Sequence, residues 1–309
     1  MQVVDARDTA ALTPYPALVQ ALRQAAIEVL EGTIACPQRA VVPLADGGAM
    51  LSMVASASDI AVHKLVTVVP ANPGRGLPTI QGHVSVWNAL NGAHLVTLDG
   101  ATVTGRRTAA LSLLGVEVLL PHRPLSIHVI GTGVQARHHV HAIAQLYPAT
   151  PITVAGRTPG AAQRFCAQLA DQCTALVPAS GGAVDESVDV VISCTTSRDP
   201  VYAERARPGR LVVAVGSYTP EAAEIAEQTV RSSRLYVDDM AGARAEAGDL
   251  IRAKVDWAQV QPLAQRLLEE RAGGIARASS AERAVVFKTV GHAAWDLAAA
   301  RVAVAQSAA

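Results

Sequence analysis

The feature that most constrains the fold of this chain is a short glycine-containing loop between an apolar stretch and a helical pattern. The stretch covers residues 127–130, the helical pattern covers 134–146, and the loop between them reads Gly131-Thr132-Gly133-Val134-Gln135-Ala136. The first glycine permits a tight turn, the second lets a phosphate group approach the backbone, and the small third residue lets the helix pack closely on the strand. This order predicts a strand–turn–helix unit.

The alternation of strand and helix continues after the loop. Apolar strands are predicted at 152–155, 188–193, 211–215 and 235–237, and one clear helix is predicted at 159–170. Strands that are apolar throughout and alternate with helices form a parallel sheet covered on both faces. The sequence therefore predicts an α/β fold with a Rossmann doubly wound parallel sheet.

The first part of the chain has a different pattern. Helices are predicted over 14–31 and 102–119, and short β-rich runs separated by turn signals fill residues 38–98. Among these signals, Asn91-Gly92 suits a type I′ hairpin turn. We predict an α+β domain over residues 1–120 and the Rossmann domain over 121–287.

The glycine loop also predicts a cofactor site, because a helix N-terminus offers unpaired N–H groups and a positive dipole end to phosphates. The next strand ends at Arg157-Thr158, where an NAD-preferring site usually has an acidic residue for the ribose 2′-hydroxyl. A guanidinium can hold a 2′-phosphate through paired hydrogen bonds, so we expect NADPH to be preferred, with some use of NADH. The alternative is that Arg157 is an ordinary solvated side chain. Thr195, at the end of a later strand, is a further candidate contact.

Three cations of the first domain are candidates for binding an anionic substrate. Arg39 precedes a strand, Lys64 lies inside an apolar strand, and Arg107 lies near the start of a helix. Burying a charge in an apolar run is costly unless the charge is paired, so Lys64 is expected to have a partner. Together the three side chains can hold a small carboxylate, although each can also be a surface side chain that extends its charged end into water.

The histidines have competing interpretations. His83 lies in a predicted strand and is either a packing histidine or a proton source near neutral pH. His138, His139 and His141 are close in sequence. They lack a carboxylate or fourth ligand at suitable spacing, so no metal site is predicted.

Charge and cysteine content narrow the class of protein. Lys plus Arg and Asp plus Glu each total 26, which does not favour nucleic acid or an anionic membrane as a partner. The four cysteines form no C-x-x-C pair, which is typical of a protein in the reducing cytoplasm. The sequence has no recognisable signal peptide and no apolar run of membrane-spanning length.

Several segments together resemble the ornithine cyclodeaminase/mu-crystallin family along nearly the whole chain. They are Pro37-Gln38-Arg39, the strand around Lys64, Gln81, Thr104–Ala110, Gly131–Ala136, Thr195-Thr196 with Pro200-Val201, Pro208-Gly209 with Val215-Gly216, and Phe287–Gly291 with Asp296-Leu297. The resemblance implies homodimers, and it implies that a last helix over 288–309 returns to the substrate-binding and dimerisation domain. It also implies that the three cations bind a substrate carboxylate. On the cofactor side, the matching segments add Thr108, Val215 and Gly216 to the expected contacts.

One departure from the family pattern bears on the chemistry. Cyclodeaminases and related alanine dehydrogenases carry Asp after Val-Gly-x, whereas this chain has Tyr218 in Val215-Gly216-Ser217-Tyr218. A phenol with an ordinary pKa of about 10 is a poor replacement for a carboxylate that holds an amine and activates water. The departure favours the branch that reduces the cyclic ketimines Δ1-pyrroline-2-carboxylate and Δ1-piperideine-2-carboxylate to L-proline and L-pipecolate. Tyr218 is then expected at the substrate site.

The expected activity is NAD(P)H-dependent ketimine reduction, in which the imine nitrogen takes a proton from Lys64, His83 or water. One alternative is an ornithine cyclodeaminase or alanine dehydrogenase, which Tyr218 disfavours. A second alternative is a non-catalytic protein of the mu-crystallin type that binds NADPH and a ligand. Retention of Arg39, Lys64 and Arg107 favours an enzyme, because a passive binding protein does not need all three cations.

Overall fold

The computed structural model describes residues 2–179, 181, 183–273 and 283–307. The chain forms two compact units: unit 1 is Met1–Arg107 with His292–Ala309, and unit 2 is Thr108–Gly291. The sequence prediction placed the corresponding boundaries after residues 120 and 287. Among the described helices, none is long and apolar enough to cross a membrane.

The helices and strands follow one another in the order expected from the change of pattern near residue 121. The helices are α1 (Ala6–Leu12), α2 (Tyr15–Leu30), α3 (Gly100–Leu119), α4 (Val134–Leu146), α5 (Pro159–Leu169), α6 (Glu227–Arg231), α7 (Met240–Glu246), α8 (Gly248–Arg252), α9 (Leu263–Arg271) and α10 (Ala293–Ser307). The strands are β1 (Ala40–Pro43), β2 (Ala49–Ser56), β3 (Ile60–Val68), β4 (Ile80–Asn88), β5 (His94–Asp99), β6 (Ile127–Ile130), β7 (Ile152–Ala155), β8 (Leu176–Pro178), β9 (Val190–Ser193), β10 (Leu211–Ala214), β11 (Arg234–Val237), β12 (Val260–Pro262) and β13 (Val285–Lys288).

Unit 1 is built on an antiparallel sheet in which β1 to β5 pair in sequence order. Helix α10 packs against α2, β2 and β3. Side chains of β3 alternate between the two faces, as the period of a strand requires, so Ile60, Val62, Lys64 and Val66 are buried. The many alanines of α10 let the helix lie close to this face. Lys64 is therefore in the core of unit 1, as its apolar strand indicated.

The connection between β4 and β5 differs from the prediction. A type I′ turn requires positive φ at both central residues, but only Gly92 of the Asn91-Gly92 pair has one, at 72°. The side chain of Asn88 accepts hydrogen bonds from the N–H groups of Leu90 and Asn91 at 2.9 and 3.2 Å. The hairpin therefore closes through a longer turn organised by Asn88, and the predicted turn type was wrong.

Unit 2 contains a parallel sheet with the strand order β12-β11-β13-β10-β9-β6-β7-β8. From β6 the chain proceeds through β7 and β8 on one side, and the later strands lie on the other side. In such sheets a ligand usually binds at the carboxyl ends of the strands where the order reverses, which here are β6 and β9. The α/β fold with a doubly wound parallel sheet is confirmed.

The end of unit 2 corrects the predicted final helix. The prediction started that helix at residue 288, but Val285–Lys288 is strand β13, which lies between β10 and β11. Helix α10 begins only at Ala293. The apolar run Val285–Phe287 is too short to show a period that distinguishes a buried strand from a buried helix. The assignment depends on the two neighbouring strands, which are distant in the sequence.

Candidate active site

A buried charge cluster in unit 1 joins three elements. Lys64 Nζ, from β3, lies 2.7 Å from Asp296 Oδ2 of α10, and Arg107 Nε, from α3, lies 3.2 Å from Asp296 Oδ1. All three side chains are almost fully buried. The sequence prediction expected a partner for Lys64, but it named Asp296 only as part of a family segment. The lone acid in the alanine-rich sequence of α10 was the available signal.

The electrostatics of the cluster are dominated by burial. Desolvation lowers the pKa of Lys64 to about 8, the Asp296 carboxylate opposes this shift, and the charges of Arg107 and Arg39 add to it. Arg39 is partly buried, and its charge is one of those that act on Lys64. The structure thus brings together Arg39, Lys64 and Arg107, which we call the cation clamp.

Helix α3 is held firmly at the end that carries Arg107. Asp99 accepts a hydrogen bond from Thr102 N at 2.7 Å and so satisfies one free N–H at the helix start. Gly100 has no room for a side chain, because a Cβ there would lie 2.7 Å from His83 N. This close packing of α3 on β4 fixes the direction of the first turns.

His83 lies apart from the cation clamp. The strand register places Val84, not His83, opposite Lys64, and it places His83 opposite Leu65. Directly opposed residues share a face of the sheet, so the imidazole belongs to the other face, where it is exposed. The structure therefore places Lys64 and His83, the two side chains considered as alternative proton sources, on opposite faces of the sheet.

The glycine loop of unit 2 has the geometry that its sequence indicated. Gly131 has a φ of 126°, and a Cβ there would lie 2.7 Å from the carbonyl oxygen of Cys194. Gly133 is the N-cap of α4 and supplies no side-chain cap, so the first N–H groups of the helix are open to a ligand. Ala136 is fully buried against the sheet. Of the remaining loop residues, Val134 is exposed, and Thr132 and Gln135 are partly buried.

One of the three histidines of α4, His139, is part of the core of unit 2. His139 is fully buried, with Nδ1 2.8 Å from Gln135 O and Nε2 2.9 Å from Ser112 Oγ. Burial lowers the pKa of His139 to about 4, so its ring is neutral. Because Nδ1 gives the one N–H of the neutral ring to the Gln135 carbonyl, Nε2 accepts the proton of the Ser112 hydroxyl, whose oxygen also lies 3.2 Å from the carbonyl oxygen of the buried Thr108. Within the described residues, no group of three or more histidine, cysteine or acidic side chains could hold a metal ion.

The end of β7 carries the two residues predicted to select the cofactor. Arg157 is exposed. The Thr158 hydroxyl caps α5 by accepting a hydrogen bond from Ala161 N at 3.3 Å. Thr158 therefore has a role in the helix start, while the guanidinium of Arg157 is accessible to a ligand.

A buried glutamate that the sequence prediction missed organises the ends of β9 and β10. The Glu224 carboxylate accepts hydrogen bonds from Ser193 Oγ at 2.6 Å and from both N and Oγ1 of Thr195 at 2.6 and 2.8 Å. It also accepts from Gly216 N at 2.5 Å. A Cβ at Gly216 would lie 1.9 Å from Thr195 O. The hydroxyl proton of Thr195 is thus used within the protein, and Val215 N continues the sheet by donating to Ser193 O at 2.9 Å.

A second buried group holds the loop that carries Tyr218. Lys288 Nζ donates to Ser217 O at 2.6 Å and lies 3.3 Å from Asp249, which accepts a hydrogen bond from Ser217 Oγ at 2.6 Å. Burial alone would raise the pKa of Asp249, but Lys288 and the hydrogen bonds outweigh it and lower the pKa. Tyr218 itself is 45% exposed, and partial burial raises the pKa of its phenol, so the side chain is neutral near pH 7.

Comparison with protein families gives a match over almost the whole chain. Residues 2–308 match the ornithine cyclodeaminase/mu-crystallin family. A Δ1-pyrroline-2-carboxylate/Δ1-piperideine-2-carboxylate reductase of Azospirillum brasilense is 52% identical over 301 residues, which cover 97% of this chain and 94% of that protein. A Δ1-pyrroline-2-carboxylate reductase 2 of Burkholderia ambifaria has the same identity and coverage.

Solved structures give the same relationship at the level of the fold. The Δ1-pyrroline-2-carboxylate reductase of Thermococcus litoralis, in complex with NADH and L-proline, has a TM-score of 0.88 and 25% identity. The match covers 100% of this chain and 98% of that one. The predicted family is confirmed by these comparisons.

Proposed function

The chain belongs to the ornithine cyclodeaminase/mu-crystallin family, and we propose that it is an NAD(P)H-dependent reductase of cyclic ketimine carboxylates. Its substrates are Δ1-pyrroline-2-carboxylate and Δ1-piperideine-2-carboxylate, and its products are L-proline and L-pipecolate. The observation that carries the proposal is the cation clamp beside Asp296. Three cations and one carboxylate leave an excess of positive charge, which suits a small anionic substrate.

The described residues of unit 2 fit a dinucleotide cofactor. A Cβ at Gly133 would meet nothing within 4 Å, so a phosphate group has space beside the open start of α4. Arg157 is accessible to a 2′-phosphate, which favours NADPH while NADH is also accepted. The bound nicotinamide supplies the hydride.

The cation clamp performs two tasks in this reaction. Arg39 and Arg107 hold the substrate carboxylate and fix which face of the ring is presented. The positive charge also stabilises electron density as it moves from the C=N bond onto nitrogen. A proton must reach that nitrogen, because the product is a secondary amine.

Tyr218 supports reduction over cyclodeamination. Loss of ammonia from ornithine needs a group that stays anionic near neutral pH while it handles an amine and water. The raised pKa of Tyr218 makes its phenol less able to do so than a free tyrosine. Imine reduction has no such requirement, because the nitrogen stays in the product.

A non-catalytic binding protein is the alternative of another class. Such a protein has no need for a lysine whose pKa is lowered by burial to near the physiological range. The pKa of Lys64 at about 8 is instead suited to proton exchange with a substrate.

A spectrophotometric assay tests the proposal. Oxidation of NADPH is measured with each cyclic imine, and ammonia release is measured with ornithine and NAD. We expect turnover with the imines and none with ornithine. Tyr218→Phe should keep much of the reductase activity, whereas Tyr218→Asp should weaken it by placing an anion near the substrate. Robust ammonia release, or no imine turnover, would contradict the proposal.

We further propose that the protein is a homodimer located in the cytoplasm. The register of β1, β2 and β3 places Val42 and Val54 on the sheet face away from Lys64 and α10, and these valines are 46% and 41% exposed. Exposed apolar side chains on a sheet face favour a subunit contact.

The proposed location rests on the cysteines. The four cysteines form no disulfide, which suits a reducing compartment such as the cytoplasm.

A further inference from the structure

Asp296 has the features of a residue with a task beyond holding α10 in place. It is fully buried in a helix whose neighbouring positions are apolar, including Trp295, Leu297 and Ala298. Burying a carboxylate is costly unless it is paired and hydrogen-bonded. An apolar residue at this position would pack on β3 without that cost. The carboxylate instead contacts two members of the cation clamp, Lys64 and Arg107.

The charged groups around Lys64 explain what the carboxylate does there. Arg107 and Arg39 repel its ammonium group, and Asp296 is the anion that attracts it. His63, the neighbour of Lys64 on β3, belongs to the opposite face of the sheet and bonds Ser52 Oγ through Nε2 at 2.8 Å. Burial and both arginines therefore favour the neutral amine, and Asp296 opposes them.

Lys64 is also better placed than His83, the other side chain considered, to give a proton to the imine nitrogen. His83 is exposed on the opposite face of the sheet from Lys64. Lys64 lies within the same charge cluster as Arg39 and Arg107, which are the groups proposed to hold the carboxylate. In both cyclic imines the carboxylate is attached to C2, directly beside the ring nitrogen. A group that binds beside this carboxylate is therefore close to the nitrogen.

We propose that Asp296 is a positioning residue that keeps Lys64 in its ammonium form, and that this ammonium group gives its proton to the imine nitrogen. The inference rests on the proposed ketimine reductase function. The hydride of NAD(P)H adds to C2, the electron pair of the C=N π bond moves to nitrogen, and nitrogen bonds the proton from Lys64 Nζ. The neutral lysine then takes a proton from water. The sum is imine, NAD(P)H and one proton giving amine and NAD(P)⁺.

The test is the pH profile of kcat/KM for Asp296→Asn, with Asp296→Glu and the wild type beside it. Activity requires the ammonium form, so in the wild type it should fall as the pH rises through about 8, the pKa of Lys64. Removing the carboxylate destabilises the ammonium form and should move this midpoint down by at least about one pH unit. At pH 8 the loss of kcat/KM should then be at least about fivefold, approaching tenfold at higher pH, because half of the wild-type lysine but only about a tenth of the variant's is still protonated there. Asp296→Glu should return the midpoint toward that of the wild type.

Asp59→Asn is the matched control. Asp59 pairs with Arg301, another residue of α10, at 2.8 Å, so its loss weakens the attachment of the same helix without touching Lys64. Its midpoint should equal that of the wild type. Titration of the imine substrate itself is common to all the enzymes, so a difference between their midpoints comes from the protein. The midpoint does not depend on how much enzyme is folded, so partial unfolding of a variant cannot imitate the shift.

Two outcomes separate the inference from the function on which it rests. An unchanged midpoint in Asp296→Asn, with a wild type that reduces the imine, would overturn the role of Asp296 and leave the reductase function intact. An effect confined to KM would have the same consequence, because it would assign Asp296 to the geometry of the cation clamp alone. A wild type that reduces neither imine at any pH would overturn the function itself.

Discussion

Arg106 and Arg107 are adjacent in the sequence but have different surroundings. The guanidinium of Arg106 lies 4.1 Å from the centre of the Tyr15 ring, and its Nε donates to Thr13 O at 2.8 Å. Arg107 contacts Asp296 in the charge cluster. Successive positions of a helix point about 100° apart, so one arginine of the pair secures the packing of unit 1 and the other belongs to the cation clamp.

Replacement of each arginine by alanine separates these roles. A charge-assisted hydrogen bond to a carboxylate contributes roughly 1.5–3 kcal/mol, so Arg107→Ala should lower kcat/KM for the imine by at least about tenfold. Cofactor affinity, measured by fluorescence titration, should stay nearly unchanged. Arg106→Ala should lower the unfolding free energy and leave kcat/KM of the folded enzyme near that of the wild type. A collapse of cofactor affinity in Arg107→Ala would assign this residue to another role.

Cofactor choice is a second property decided by one side chain. Arg157→Ala removes the guanidinium proposed to bind the 2′-phosphate, so KM should rise much more for NADPH than for NADH. Arg164→Ala is the control, because Arg164 is also an exposed arginine of unit 2 but lies within α5. Steady-state kinetics with both cofactors provide the comparison. If Arg157→Ala raised KM equally for the two cofactors, the Arg157 side chain would not be the group that binds the 2′-phosphate.

At the scale of an element, the strand–turn–helix unit uses its two glycines for different purposes. Gly131 has a left-handed φ of 126° and no space for a Cβ beside Cys194 O, whereas a Cβ at Gly133 would meet nothing within 4 Å. Gly131 is therefore required for the backbone conformation and packing of the loop. Gly133 leaves space beside the helix start for a phosphate group of the cofactor.

Two alanine substitutions test this division. Gly131→Ala should reduce the unfolding free energy by about 1–3 kcal/mol, because it combines backbone strain with a steric clash. Gly133→Ala should leave that free energy almost unchanged and weaken cofactor binding, because the added methyl group occupies space needed by a phosphate. Urea denaturation and cofactor titration give the two readouts. Cofactor affinity unaffected by Gly133→Ala would contradict the assignment of the loop.

At the scale of the whole molecule, the proposed homodimer should dissociate when charge is introduced on the sheet face that carries Val42 and Val54. Val42→Lys combined with Val54→Lys introduces charge on the outer face of the antiparallel sheet and should shift the protein toward the monomer. Leu90→Lys is the control, because Leu90 is 88% exposed but lies in the turn between β4 and β5. Light scattering after size-exclusion chromatography gives the mass of each variant. A monomeric wild type would refute the proposal.

The parts of the fold that could be predicted are those with a local signature. Each apolar strand, each helical pattern and the loop from Gly131 to Ala136 is recognisable within a short window of sequence. Together they were enough to identify the Rossmann sheet and its cofactor loop. Strand β13 had no such signature. Its four residues became a strand only because β10 and β11 offer hydrogen-bonding partners on both sides.

The same distinction applies to the candidate site. The sequence by itself identified the three cations as candidates: Lys64 because it lies inside an apolar run, and Arg39 and Arg107 because they lie beside the starts of a predicted strand and a predicted helix. Only the tertiary structure decided that Asp296 pairs with two of them, that His83 belongs to the other face of the sheet, and that Glu224 joins the ends of β9 and β10. These relationships depend on how a helix packs on a strand and on which residues oppose each other in a sheet. Such contacts join positions far apart in the chain, where local periodicity carries no information about distance.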